Sequence, residues 1–468
     1  MQTKDTTPTT RDPILGVVAD DITGANDIGS MTAKAGYLTD VFSYQIPGAV
    51  ADITVLREPD VSILDTDSRF DTPEVAYAKV YAATRDLEAA GARHFFKKTC
   101  SVFRGNIGVE FDAMLDALGE DFAIVVAGFP KNGRQTINGI HYVRGVPLAQ
   151  SEFRNDPIHP LTESNLVTVL QSQTRRKVTL VDHTIIAQGT AVLRQYIAAQ
   201  CKHYNYLLFD VVDQSSLATI AAATHDCRVF CGSSALGEEL PHVWGNLSPR
   251  PVANLPARSG AGVLIVSGSL MPQTAAQIQH LQRLGICTWE LDPHQLFDAA
   301  TRTEMLSAAQ TALTASLRQG EDALLYAANA PKSVAIARKA GARRGLDTVE
   351  VSRLVSGTLA NLTATLVNET PLDRLAIAGG DTSAAICARL GVTRLRILEE
   401  IQPGLPSCQT VGKRALLLVL KSGSFGTPTF LAEAAAHLRE AGSKQETTAH
   451  TFQTATGNIA KEASYDPA

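Results

Sequence analysis

Short, uninterrupted apolar runs alternate with helix-patterned stretches along almost the whole chain, and this alternation restricts the fold more than any other feature. In the first half, residues 14–19, 63–65, 122–127, 178–181, 207–209 and 228–231 read as strands; in the second, residues 262–266, 323–326, 375–378 and 416–420 do. Runs without polar alternation need cover on both faces, which parallel sheets flanked by helices supply. The stretches between carry helix signals. Thr72 and Pro73 stand as N-cap and first residue of a helix that places Tyr77, Val80, Tyr81, Thr84 and Leu87 on one face and stops at Gly91. A strand followed by a helix over residues 24–36 is expected at the start of the chain.

Residues 242–262 interrupt the alternation with Pro249, Pro251 and Pro256, few apolar side chains and a Gly-rich end, the pattern of a crossover between domains. The expected architecture is α/β with two domains, each with a mostly parallel sheet flanked by helices. The first spans residues 12–248 and the second 249–440; the polar, Thr/Ala-rich residues 441–468 read as a disordered tail.

Charge and cysteine usage narrow the function classes. The balance of 42 basic and 47 acidic residues gives a net charge of −5, which argues against nucleic acid or an anionic membrane as the main partner but leaves room for a local phosphate site. No apolar run approaches the ~20 residues of a membrane span, and the polar first thirteen residues lack a signal-peptide core. Seven scattered cysteines without a CxxC pair fit reduced thiols and a cytoplasmic location. Cys227 and Cys231, four apart in a strand-like run, are expected on one face as packing.

In parallel α/β folds ligands sit at the carboxyl ends of strands, so the residues just after each run bear the chemistry. The first such loop is Asp20-Asp21-Ile22-Thr23-Gly24-Ala25-Asn26-Asp27. Its paired carboxylates suit a metal, a hydroxyl proton or a polyol, while helix capping by Asp21 or Thr23 accounts for one of them. Asp65-Thr66-Asp67-Ser68-Arg69 offers a guanidinium for a carboxylate ligand, or an internal pair with Asp67 or Asp71. Lys97, Lys98, Thr99, Ser101 and Arg104 form a dense anion-binding set directly after Phe95-Phe96. A further loop, 129–134, leads to His141, which reads as packing. In the second half, Ser267-Gly268-Ser269, Gly379-Gly380-Asp381-Thr382-Ser383 and Lys421-Ser422-Gly423-Ser424 each lie between a strand and a helix. Small-residue turns that open helices present free N–H groups to phosphate, and three in one half point to a nucleotide. No GxxxxGK[ST], GxGxxG after a strand, HExxH or GxSxG is present, which argues against P-loop, dinucleotide, zincin and serine-hydrolase chemistry.

Taken in order, these segments resemble the four-carbon acid sugar kinases. The resemblance covers roughly residues 14–440 and rests on Asp20-Asp21-Ile22-Thr23-Gly24-Ala25, the DTDSR of 65–69, the KxxSxxRG of 98–105, the PxNGR of 130–134, the SGS of 267–269 with Thr274 and Gln277, the GGDTS of 379–383 and the KSGSFG of 421–426. It implies that the N-terminal domain holds the sugar acid and the C-terminal domain holds ATP, with Mg²⁺ bridging the phosphates. It also implies substrate contacts from Asp20, Asp21, Arg69, Lys98, Thr99, Cys100, Ser101 and Arg104. ATP contacts would come from Ser267, Ser269, Gly379, Gly380, Asp381, Thr382, Ser383, Gly423 and Ser424. Cys100 departs from the family pattern, which usually has Asp there, and so bears on substrate identity. The expected reaction is ATP-dependent phosphorylation of the terminal hydroxyl of a four-carbon sugar acid, with Asp21 or Asp20 as base and Asp381 as the rival. The Ala25-Asn26-Asp27 ending favours D-threonate, with 3-oxotetronate or erythronate as alternatives. A nicotinamide-dependent sugar-acid oxidoreductase and a non-catalytic sugar-acid sensor are the competing classes. The sequence names neither metal ligands nor an oligomeric state.

Overall fold

The computed structural model describes residues 14–50, 52–156, 159–245, 247, 255–256, 259–412 and 414–441. Much of the expected crossover at 242–262 and all of 442–468 in the expected tail lie outside the described residues. In the first half the strands are β1 (Leu15–Ala19), β2 (Thr39–Ser43), β3 (Val61–Asp65), β4 (His94–Lys98), β5 (Ala123–Val126), β6 (Arg134–Ile137), β7 (Ile140–Val143), β8 (Val146–Pro147), β9 (Val178–Val181), β10 (Tyr206–Phe209) and β11 (Val229–Gly232). The second half adds β12 (Leu264–Ser267), β13 (Cys287–Leu291), β14 (Ala323–Ala327), β15 (Arg374–Ala378), β16 (Arg394–Gln402), β17 (Leu405–Thr410) and β18 (Leu417–Lys421).

The chain is α/β, as the apolar runs require, but the two expected sheets are one. Among the described residues, 15 strands form a continuous sheet in the order β13-β14-β12-β15-β18-β17-β16-β2-β3-β1-β4-β11-β5-β10-β9. From β2 to β9 every neighbour is parallel, and so are β13, β14, β12, β15 and β18. The antiparallel pair β16–β17 joins the two parallel blocks, with β17 against β18 and β16 against β2. The seam is charged: Arg394 and Arg396 of β16 both bind the buried Asp40 of β2, at 2.5–2.9 Å. A buried carboxylate is tolerable here because two guanidinium groups take up its lone pairs.

Alternate residues of the strands enter two apolar cores, one on each face. Val17, Ile63, Phe96 and Leu207 belong to one, and Val18, Leu64, Phe95 and Leu208 to the other. This two-sided burial is why the strands read as continuous apolar runs. Cys227 lies ahead of β11 and packs into the first core, whereas Cys231 packs into the second, so the two thiols do not share a face. The helix Pro73–Ala89 starts after Thr72 without a side-chain cap bond; it buries Val80, Thr84 and Leu87 but leaves Tyr81 39% exposed. No helix among the described residues is long and apolar enough to cross a membrane.

Across the β16–β17 pair the two parallel blocks run in opposite directions. Five strand-to-strand steps separate β18 from β1, and at about 20–25° per step the sheet turns by more than a right angle between them. The carboxyl ends of both blocks thereby face one cleft.

Candidate active site

β1 lies between β3 and β4, with Ala19 level with Asp65 and Lys98. The chain therefore leaves three adjacent strands at one height, and their next residues meet. Arg69, from the loop after β3, reaches back to Asp20 through Nε to Oδ2 (2.8 Å) and Nη2 to Oδ1 (2.9 Å), and to Asp21 through Nη1 to Oδ2 (2.5 Å). Asp21 is also the N-cap of helix α1 (Ile22–Lys34), where Oδ1 accepts from the Gly24 N–H at 2.7 Å and Oδ2 from Thr23 Oγ1 at 3.0 Å. Capping and ion pairing coexist in this one carboxylate. A Cβ on Gly24 would stand 2.6 Å from Asp21 Oδ1 and 3.0 Å from Lys98 Nζ, so only glycine fits between them.

The loop after β4 divides its charges. Lys97 turns inward to a fully buried pair with Glu110 at 2.9 Å, so it takes no part in the expected anion-binding set. Lys98 Nζ bonds the Thr99 carbonyl at 3.0 Å and faces Asp27 Oδ2 at 3.6 Å. Arg104 pairs with Asp156 at 2.8 Å, and its Nε donates to Cys100 Sγ at 3.4 Å. Burial alone would raise the Cys100 thiol pKa, but Arg104 and Arg69 outweigh it and hold it below the usual range. Asp27 is buried in the second turn of α1; Oδ2 accepts from Ser234 Oγ at 2.6 Å, while Oδ1 has no hydrogen-bond partner among the described residues. Burial pushes its carboxyl up to about 6, against the opposing pull of Lys98 and Ser234.

Opposite, the adjacent strands β12, β15 and β18 end in the three small-residue turns. The loops interlock: a Cβ on Gly268 would lie 2.3 Å from Thr382 Oγ1, and one on Gly423 would lie 2.2 Å from Ser269 Oγ. Side chains are excluded there, which leaves backbone to line the cleft. Lys421, fully buried, fastens the loops through Thr274 Oγ1 at 2.8 Å and the Gly423 carbonyl at 3.3 Å. Burial drops its ammonium to about 7.

Three adjoining cavities follow the cleft. An inner pocket is walled by Asp21, Asp27, Lys98, Cys100, Ser101 and Arg134, with Gly404 and Phe425 reaching in from the second half. It opens past Asp21, Arg69, Arg104, Ser422 and Ser424 into a central cleft of about 910 Å³. The central cleft holds Ser269, Gly379, Gly380, Asp381, Thr382 and Gly423. Past Gly268, Leu270, Ser352 and Val355 it continues into a mostly apolar cavity of about 570 Å³, whose walls include Ala327, Val334 and Val351. Most of the residues expected at the site therefore meet. Asp20, Thr99, Ser267 and Ser383 do not reach these walls: each is 1% exposed or less, and Asp20 stands behind Arg69. There burial would raise the Asp20 carboxyl, but Arg69 and, further off, Lys97 and Lys98 bring it down to about 2. Asp381 goes the other way: burial and Asp21 raise it above the usual carboxylate range against the pull of Arg69.

Arg134, Asp27, Phe153 and Phe425 are wall residues that strand-end reasoning did not assign. Arg134 stood in the PxNGR segment, Asp27 in the first loop and Phe425 in the KSGSFG segment, so each had a signal; Phe153 had none. Among the described residues no group of three or more His, Cys, Asp or Glu side chains could hold a metal ion.

Comparison with known proteins matches these halves. A sugar-binding N-terminal domain family covers residues 15–240, and a nucleotide-binding C-terminal domain family covers residues 264–431. The chain is 34% identical over 435 residues to a 3-oxo-tetronate kinase of Pseudomonas fluorescens, covering 91% of this chain and 97% of the relative. It is 34% identical over 436 residues to that of Cupriavidus necator, covering 90% and 96%. A crystal structure described as a tRNA synthase from Salmonella typhimurium LT2 superposes with a TM-score of 0.74 at 26% identity, covering 90% of this chain and 98% of that one. A Haemophilus influenzae protein does so with a TM-score of 0.67 at 28% identity, covering 90% and 99%. With both domain families in order, and relatives of this identity matched almost end to end, the chain belongs to the four-carbon acid sugar kinase family, phosphotransferases that act on a sugar-acid hydroxyl.

Proposed function

We propose that this protein transfers the γ-phosphoryl group of ATP to the terminal hydroxyl of a four-carbon sugar acid, and that the acid is 3-oxo-tetronate. The observation that supports this most is the wall shared by the inner pocket and the glycine-lined cleft, where Asp21, Arg69 and Ser424 face both. An acid seated inside and a triphosphate seated outside would meet at that wall. The apolar cavity beyond Leu270 suits a nucleobase, and the turns after β12, β15 and β18 suit phosphates through backbone N–H groups. The relatives' names favour 3-oxo-tetronate over the D-threonate expected from the Ala25-Asn26-Asp27 loop.

Phosphoryl transfer is mainly positioning and charge stabilisation. The terminal oxygen attacks the γ-phosphorus, its proton passes to Asp21, and ADP leaves with the bridging oxygen. Asp20 is unsuited to take the proton, since it stands behind Arg69 and does not reach the cavity walls, whereas Asp21 does. Mg²⁺ binds through one or two carboxylates plus substrate phosphates rather than an all-protein cage, which agrees with the donor set of the cleft. With Asp21 given to the proton and Asp156 paired with Arg104, Asp381 is the carboxylate of the cleft that would hold it, and bound there it would neutralise phosphate charge.

The test is ADP release from Mg-ATP with 3-oxo-tetronate, D-threonate and D-erythronate in turn. The proposal expects turnover with 3-oxo-tetronate at the highest kcat/KM of the three. Preference for D-threonate would overturn the substrate assignment, and no ADP release with any of them would overturn the kinase reading.

A further inference from the structure

Among the described residues, four cationic side chains wall the inner pocket, and three are already engaged. Arg69 is held by Asp20 and Asp21, Lys98 faces Asp27, and Arg104 pairs with Asp156. Arg134 is the exception. It opens β6, is 2% exposed, and has no carboxylate within ion-pair distance among the described residues. Its guanidinium has five N–H donors, yet its hydrogen bonds are one from Nη1 to the Asn132 carbonyl and a long one of 3.4 Å from Nη2 to Ser424 Oγ. Nε is buried without a hydrogen-bond partner among the described residues.

The surroundings set how a ligand can approach. Phe153 and Phe425 lie over the guanidinium, with ring centroids 5.9 and 5.5 Å from Cζ. Rings at that distance favour the cation through their π-faces and leave Nε for an incoming partner, and a carboxylate binds the edge of a guanidinium bidentately. Burial, with Arg144 as a like charge nearby, lowers the guanidinium to about 10, so it stays charged at neutral pH. A buried charge without a counter-ion is costly, and a ligand anion would supply what the chain withholds.

We propose that Arg134 is the anchor for the carboxylate of the sugar acid, binding it edge-on in the inner pocket. This rests on the function proposed above and adds a recognition group to it. Arg134 walls the inner pocket and not the central cleft, which assigns it to the acid rather than to the transferring phosphate. Through Ser424, which faces both compartments, it also touches the loop after β18, so acid bound at Arg134 would brace the phosphate side.

The experiment compares equilibrium binding of a four-carbon sugar acid and its primary amide to wild type, Arg134→Gln and Arg134→Lys, with turnover and Mg-ATP affinity measured in parallel. The acid should bind Arg134→Gln about 10- to 100-fold more weakly, the loss expected for a charged hydrogen-bonded contact. The amide should bind wild type and variant alike, and Mg-ATP affinity should be unchanged. Guanidinium ion should restore acid binding to Arg134→Gln in part, and Arg134→Lys should keep only a fraction of the acid-over-amide preference. That preference is a ratio within each folded protein, so lost stability cannot imitate the result. Unchanged acid binding in Arg134→Gln, or an equal loss for acid and amide, would overturn the assignment. So would a loss confined to Mg-ATP. If wild type binds the acid in an Arg134-dependent way but never releases ADP, the anchor stands and the kinase reading falls.

Discussion

Arg69 meets Asp20 edge to edge, Nε against Oδ2 at 2.8 Å and Nη2 against Oδ1 at 2.9 Å. The same guanidinium reaches Asp21 at 2.5 Å, so one cation holds two neighbouring carboxylates that would otherwise repel. The pairing separates their tasks: Asp20 becomes structural, while Asp21 stays at the cavity wall.

Removing that cation leaves two buried carboxylates uncompensated. Arg69→Met should lose about 3–5 kcal/mol at neutral pH, the range for breaking a buried pair. The pH dependence has a definite sign. The Asp20 carboxyl sits near 2 in the folded chain, below its unfolded value of about 3.9, so its stabilisation is complete above pH ~4 and fades as pH falls toward 2. Urea denaturation of wild type should show that decline, and Arg69→Met should show less of it. Equal slopes in the two proteins would count against the fork.

Asp21→Asn keeps a good N-cap for α1 but cannot accept the hydroxyl proton. Its kcat should fall ~10²–10⁴-fold, the usual scale for an acid–base group, with the KM for the acid changed far less. Asp381→Asn, at the nucleotide side, should act mainly on the KM for Mg-ATP. Steady-state kinetics decide: a collapse of kcat in Asp381→Asn with Asp21→Asn little affected would reverse the two roles.

Asp27 illustrates a site residue that works against stability. Its folded pKa of about 6 exceeds the unfolded ~3.9, so the folded state keeps the proton longer and stability drops as pH rises from about 4 to 6. Asp27→Asn should remove that drop and be more stable than wild type at pH 7, by about 1–3 kcal/mol. It should also bind the sugar-acid anion at least as tightly, because the pocket wall has lost a negative charge. Thermal melts at pH 4 and pH 7 with acid titrations test both halves; a variant as pH-sensitive as wild type would refute the first.

Cys100 walls the inner pocket beside Arg104. Iodoacetamide should inactivate the enzyme with a midpoint pH below that of an ordinary thiol, about 8.5, and the sugar acid should slow the reaction. Cys100→Ala should resist inactivation. Full activity after complete alkylation of Cys100 would show that the thiol does not border bound acid.

Strands buried on both faces were legible, because each residue of β1, β5 or β10 is apolar whichever way it points. β4 and β16 were not, because their polar residues find partners on other elements: Lys97 meets Glu110 of helix Ile107–Leu118, and Arg394 and Arg396 meet Asp40 of β2. No local pattern contains that information. The strand-end rule located the site for the same reason it could not finish it. It named Asp20 and Asp21 together, but neighbouring side chains diverge, and only the fold shows which of them faces the cavity. Arg134 stood in the loop 129–134 after β5 but was given no role there, and in the fold it opens the β6–β7 hairpin. Its lack of a counter-ion is a property of three dimensions.

The β16–β17 hairpin ties the two halves of the sheet together. By sequence it belongs to the nucleotide half, yet β16 completes the edge of β2, and the turn after it brings Gly404 to the inner pocket, where a Cβ would strike Asp27 Oδ1 at 2.3 Å. A chimera that grafts one relative's second half onto another's first imports part of the donor's acid pocket with it. Substrate preference in such hybrids should therefore follow the hairpin as well as the first half.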